Sequence, residues 1–136
     1  MDVDGDGTEE LLVRYVDDPQ GIYALFDYAD GWIECWELDG RQLSQPLKDG
    51  TMLHQYDGNG VQTYTFYRYR PDGSMEKLGP VLKYIGDAVF ADTYGGMGWT
   101  IDDVPMDEAV FQAKLRELVT DRLPGRDIWK PGHYFG

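Results

Sequence analysis

Between residues 11 and 85 short apolar runs alternate with acidic-glycine punctuation. Five Asp-Gly pairs mark it: Asp30-Gly31, Asp39-Gly40, Asp49-Gly50, Asp57-Gly58 and Asp72-Gly73. Asp-Gly favours turns of positive φ, which match the twist of two flanking strands. Residues 11–16, 22–28, 32–38, 51–56 and 61–70 are rich in aromatic and β-branched side chains, the composition of strands. Turn signals at this spacing predict successive antiparallel strands. Residues 75–85 predict another, bulged or interrupted at Gly79-Pro80, because proline has no amide proton for a ladder. Residues 88–94 predict one more. Residues 42–47 qualify only as an edge strand, because of Pro46.

The period changes after Trp99. Phe111, Leu115, Leu118 and Val119 recur at helical spacing, and Leu123 extends the stripe. Pro105 lies near the start, and Asp107 and Glu108 fall in the first turn, where the helix dipole favours negative charge. Pro124-Gly125 stops the pattern. This predicts one amphipathic helix over residues 106–122, laid on the sheet. The segment 126–136 carries Trp129, Tyr134 and Phe135 and reads as an aromatic tail that packs on its own domain. No repeat of solenoid or propeller length is visible. The expected fold class is α+β and mainly β. It is an antiparallel meander of about six to eight strands, curled as a sheet or roll, with one C-terminal amphipathic helix. Residues 1–136 form a single domain: a meander with an acidic N-terminal loop over 1–104, the helix over 105–123, and the tail over 124–136.

Composition narrows the function. The chain has 136 residues, with 12 Lys and Arg against 25 Asp and Glu, a net charge of −13. Such a balance argues against nucleic acid and against an anionic membrane surface, both of which need basic patches. Apolar residues at 42% and aromatics at 14% set it apart from disordered acidic chains. Cys35 is the only cysteine, so neither an internal disulfide nor a Cys-rich zinc site is available. Flanked by Trp32, Ile33 and Trp36, it reads as a buried small hydrophobe. No apolar run approaches the length of a transmembrane helix. No signal peptide lies within the chain, and an exported protein would carry one ahead of Met1.

The first ten residues, M-D-V-D-G-D-G-T-E-E, hold the candidate chemistry. Asp2, Asp4, Asp6 and Glu10 occupy positions 1, 3, 5 and 9 of a loop, with Gly7 where a calcium loop turns sharply. Thr8 at position 7 offers a backbone carbonyl. Hard cations such as Ca²⁺ take six to eight oxygens at about 2.3–2.6 Å. Alternate carboxylates in a tight turn can converge on such an ion, and without one they repel. The loop is not an EF-hand, since position 12 is Val13 and the exit is Leu11-Leu12-Val13, a strand. Mg²⁺ suits it less, because that ion prefers fewer carboxylates and keeps its waters.

The pattern D-x-D-x-D-G-x-x-E entering a strand resembles the calcium loop of FG-GAP and VCBS repeats, as in integrin α-chain propellers. That resemblance implies Asp2, Asp4, Asp6 and Glu10 as side-chain ligands and Thr8 as a carbonyl ligand. The ninth position is Glu where that family usually has Asp, and one copy is present where a propeller has several blades. The chain also resembles uncharacterised secreted or lipoprotein domains of Gram-positive bacteria, on D-x-D-G-D-G-T-x-E-L and the aromatic meander with Asp-Gly turns. This implies a location and a metal but no reaction.

Other candidates are weaker. Tyr94-Gly95-Gly96-Met97-Gly98-Trp99 joins glycine freedom to contact surface. Tyr94, Met97 and Trp99 are candidates for a sugar- or peptide-binding loop, against a plain link in which Trp99 is buried. Asp57-Gly58-Asn59-Gly60 reads as a hairpin turn. His54 and His133 lack metal-ligand spacing, and neither Ser44 nor Ser74 lies in G-x-S-x-G. No phosphate loop or dinucleotide fingerprint occurs. The favoured reading is a non-enzymatic, Ca²⁺-binding extracellular or cell-surface module, in contact with protein or glycan and without membrane insertion. The alternative is a carbohydrate-active enzyme, or an accessory domain of one, built on paired carboxylates across an aromatic cleft.

Overall fold

The computed structural model describes residues 1–14, 22, 24–29, 31–38, 43–58, 60–86 and 98–125. The strands form two antiparallel sheets, each in chain order and each open at its edges. The first contains β1 (Leu11–Val13), β2 (Ala24–Ala29) and β3 (Trp32–Leu38). The second contains β4 (Leu43–Pro46), β5 (Met52–Gly58), β6 (Val61–Tyr69), β7 (Met75–Ile85), β8 (Trp99–Ile101) and β9 (Val104–Pro105). The meander expected from the turn signals is therefore present, divided into two sheets.

Glycine chemistry explains most of the hairpins. Gly31, Gly50 and Gly73 have φ of 80°, 85° and 82°, the left-handed region that an Asp-Gly turn supplies. At Asp57-Gly58 the turn falls two residues later than the pair suggests. Pairing runs to Gly58↔Val61, and the positive φ is at Gly60, 75°. Asp39-Gly40 lies outside the described residues. Strand β4 sits at the edge of its sheet, where Pro46 removes no needed donor. In β7 the register shifts between Tyr64↔Leu82 and Phe66↔Leu78, so the extra residues lie around Gly79-Pro80.

Helix α1 spans Glu108–Leu118 and continues as a 3-10 turn over Thr120–Arg122. Its stripe lies on the second sheet as the periodicity predicts. Phe111 is buried with Leu47, Leu53, Phe66 and Leu82, and Leu115, Leu118 and Val119 pack beside them. Leu123 is exposed and adds nothing to that face. A second core of Val3, Leu25, Met52 and Tyr69 lies between the sheets, with Trp36 stacked on Tyr69 at 5.1 Å.

One local expectation is corrected, and one hairpin is added. Cys35 is exposed, not buried. It pairs with Phe26, which pairs with Leu11, so all three share one face of the first sheet. That face is the outer one, and Leu11, Tyr28 and Ile33 are exposed along with Cys35. The hairpin of β8 and β9 carries no glycine signal. Its turn is Asp102-Asp103, both with positive φ, 50° and 63°. Aspartate tolerates that region better than most residues. The expected strand over 88–94 and the tail over 126–136 lie outside the described residues, as does His133. Among the described residues, no helix is long and apolar enough to cross a membrane.

Candidate metal centre

The first ten residues bend back until their ends meet. The Glu10 amide donates to the Met1 carbonyl at 3.0 Å, and the Met1 amino group to the Glu10 carbonyl at 3.3 Å. Gly5 and Gly7 make the bend with φ of 79° and 91°, which other side chains rarely adopt. Each aspartate then ties down its own stretch of backbone. Asp2 accepts from the Gly5 amide at 2.7 Å and the Gly7 amide at 3.1 Å. Asp4 Oδ1 accepts from the Asp6 amide at 2.9 Å. Asp6 Oδ1 accepts from the Thr8 amide at 2.7 Å and the Thr8 hydroxyl at 2.6 Å. Glu10 Oε2 reaches across the loop to the Val3 amide at 2.5 Å.

These bonds gather the acidic groups. One carboxylate oxygen from each of Asp2, Asp4, Asp6 and Glu10 lies within 4.8 Å of all the others. Asp4 is 8% exposed and Glu10 4%. Asp4 Oδ2 and Glu10 Oε1 are fully buried and accept no hydrogen bond. An unmatched buried acceptor costs about 1–3 kcal/mol, and more when charged. Burial, and then the negative charges of Asp6 and Asp2, push the Asp4 carboxyl above its ordinary range. Burial also pushes Glu10 upward; the Val3 amide opposes this, and the charges of Asp4, Asp2 and Asp6 add to it. Asp6, bonded by the Thr8 hydroxyl and amide, is held below the ordinary range. The cluster is thus rich in acceptors and in negative charge. An all-oxygen set of this kind suits a hard divalent cation and lacks the nitrogen or sulfur that softer metals prefer.

Two contacts seat the loop. Val3, fully buried, inserts into the core between the sheets. The turn before β5 also lies against its backbone: a Cβ added to Gly50 would stand 3.0 Å from the Asp2 carbonyl oxygen. Asp49 in that turn accepts from Arg122 Nη2 at 2.6 Å, and Thr51 Oγ1 accepts from the same nitrogen at 2.9 Å. The structure therefore brings together all four predicted carboxylates. Thr8 stands in the loop with its amide and hydroxyl committed to Asp6. Val3 is the residue the sequence reading passed over; its signal was one apolar side chain between two acids.

The other candidates separate. Trp99 lies in β8 and packs half-buried against the core, its ring tilted on Tyr84 and Phe111 with centroids 4.3 Å and 4.9 Å away. Tyr94 and Met97 lie outside the described residues. His54 is a buried histidine: its Nε2 approaches Glu37 Oε1 at 2.7 Å, and the Ser44 hydroxyl donates to the same oxygen at 2.9 Å. Serine and histidine thus meet on a carboxylate and do not form a nucleophile–base pair. No family model, curated protein or solved structure matches this chain.

Proposed function

We propose that the acidic loop binds one Ca²⁺ ion and that the protein is a non-enzymatic, calcium-stabilised extracellular or cell-surface contact module. The observation that carries this reading is the pair of buried, unmatched oxygens, Asp4 Oδ2 and Glu10 Oε1, inside a cluster of four carboxylates. Repulsion alone would splay such groups into water, where each could be solvated. A divalent ion satisfies both oxygens and offsets half of the four gathered negative charges. Ca²⁺ is preferred over Mg²⁺ because it accepts many carboxylates in flexible geometry.

Sites on extracellular modules work at calcium concentrations of about 10⁻⁴–10⁻³ M, which a loop of four carboxylates can meet without exceptional affinity. The contact role is supported by the exposed apolar outer face of the first sheet, at Leu11, Tyr28 and Ile33. The net charge of −13 directs such contacts away from nucleic acid.

Thermal unfolding tests the metal. In millimolar Ca²⁺ the melting temperature should exceed that in chelator by several degrees, since about 100-fold excess over Kd adds roughly 2.7 kcal/mol. Equal melting temperatures would refute calcium binding. Mg²⁺ at the same concentration should give a smaller shift.

A further inference from the structure

We infer that Val3 is the positioning residue of the acidic loop, a plug whose entry into the core between the sheets is one event with ion binding. This rests on the calcium reading above and extends it to regulation of the fold. Val3 stands between two of the carboxylates, Asp2 and Asp4, and its side chain is fully buried with Leu25, Met52 and Tyr69. Its amide donates to Glu10 Oε2, so a third carboxylate closes over it. Val3 therefore cannot reach the core unless Asp2, Asp4 and Glu10 arrive together.

Without a cation, arrival leaves two buried oxygens unmatched, and the gathered charges oppose it. With a cation both penalties go, and the burial of Val3 proceeds. Linkage is reciprocal: if the ion drives Val3 inward, the apolar burial of Val3 tightens the ion. The plug joins both sheets, because Leu25 belongs to β2, whereas Met52 and Tyr69 belong to β5 and β6. Calcium then controls the joint between the sheets through a residue that gives it no oxygen.

The affinity of a Val3 variant separates this from a merely structural role. A residue already seated without the ion would, when trimmed, lower stability equally in both states and leave affinity alone. A residue seated by the ion must lower affinity. We expect Val3→Ala to weaken Ca²⁺ binding about tenfold by calorimetry, with one site retained. Val3→Ile should bind more tightly than Val3→Ala. The same trimming on the exposed face of α1, Val110→Ala, should leave affinity unchanged. In the wild-type chain, which avoids any folding defect, the Val3 amide should exchange with solvent about tenfold or more slowly in Ca²⁺ than in chelator. Calcium binding heat with equal Val3 protection, or with equal affinity in Val3→Ala, overturns the coupling alone. No binding heat in the wild type removes the calcium site, and the coupling with it.

Discussion

At the scale of single residues, the loop's carboxylates work against the fold when no ion is present. Two like charges no more than 4.8 Å apart repel by about 1 kcal/mol even at the dielectric constant of water. Asp4→Asn should therefore raise the melting temperature in chelator by roughly 2–5 °C and lose the increment that calcium gives the wild type. A variant that melts lower in chelator and still responds fully to calcium would contradict this role for Asp4. The pH dependence has the same origin. Asp4 and Glu10 are pushed upward by burial, so at these two groups the folded state holds its protons to higher pH than the unfolded one. Their penalty is present above their raised values and relieved as pH falls toward the ordinary carboxylate range near 4. Apo protein should gain stability on mild acidification, whereas calcium-loaded protein should lose it as protons displace the ion. Denaturant midpoints across that window, with and without chelator, measure both slopes. Cys35 offers an independent check of the sheet's outer face. Its exposed thiol should react with a thiol reagent in the native protein, and a thiol reactive only after unfolding would contradict the register of β3.

At the scale of elements, helix α1 and the turn before β5 hold the loop's surroundings in place. Phe111→Ala removes the helix's only fully buried ring and should cost about 3–5 kcal/mol. Arg122 fastens the 3-10 turn to Asp49 and Thr51, and its carbonyl accepts the Lys48 amide at 2.8 Å. Asp49 feels burial pushing it up, but the Thr51 and Arg122 hydrogen bonds prevail and hold it below its ordinary range. Its contribution is therefore present above the unfolded value and lost as pH falls through the depressed one. The pair is half exposed, so Arg122→Met should cost only about 1 kcal/mol, read as a shifted denaturant midpoint. Most of these elements were legible in the sequence, for physical reasons. Asp-Gly turns need left-handed backbone, and the stripe from Phe111 to Val119 has one period. Strands β8 and β9 were not legible, because three- and two-residue strands carry no period and their turn uses Asp102-Asp103 in place of glycine. The buried position read for Cys35 failed because its neighbours are apolar on both faces of β3, and a run of that kind does not say which face is covered.

At the scale of the molecule, two open meanders meet over a small core, and the acidic loop closes one end of it through Val3. The four acidic positions were legible because alternate acids with glycine at the turn specify a converging bend. Their burial was not, since it depends on Val3, on Gly50 and on a turn some forty residues away. If the proposed ion is part of the fold, calorimetric titration of chelator-treated protein with Ca²⁺ at neutral pH tests it most directly. One ion per chain should bind, and the heat should vanish in a double variant carrying Asp4→Asn and Asp6→Asn whose β-sheet spectrum is unchanged. No heat in the wild type, or the same heat in the double variant, would contradict the account.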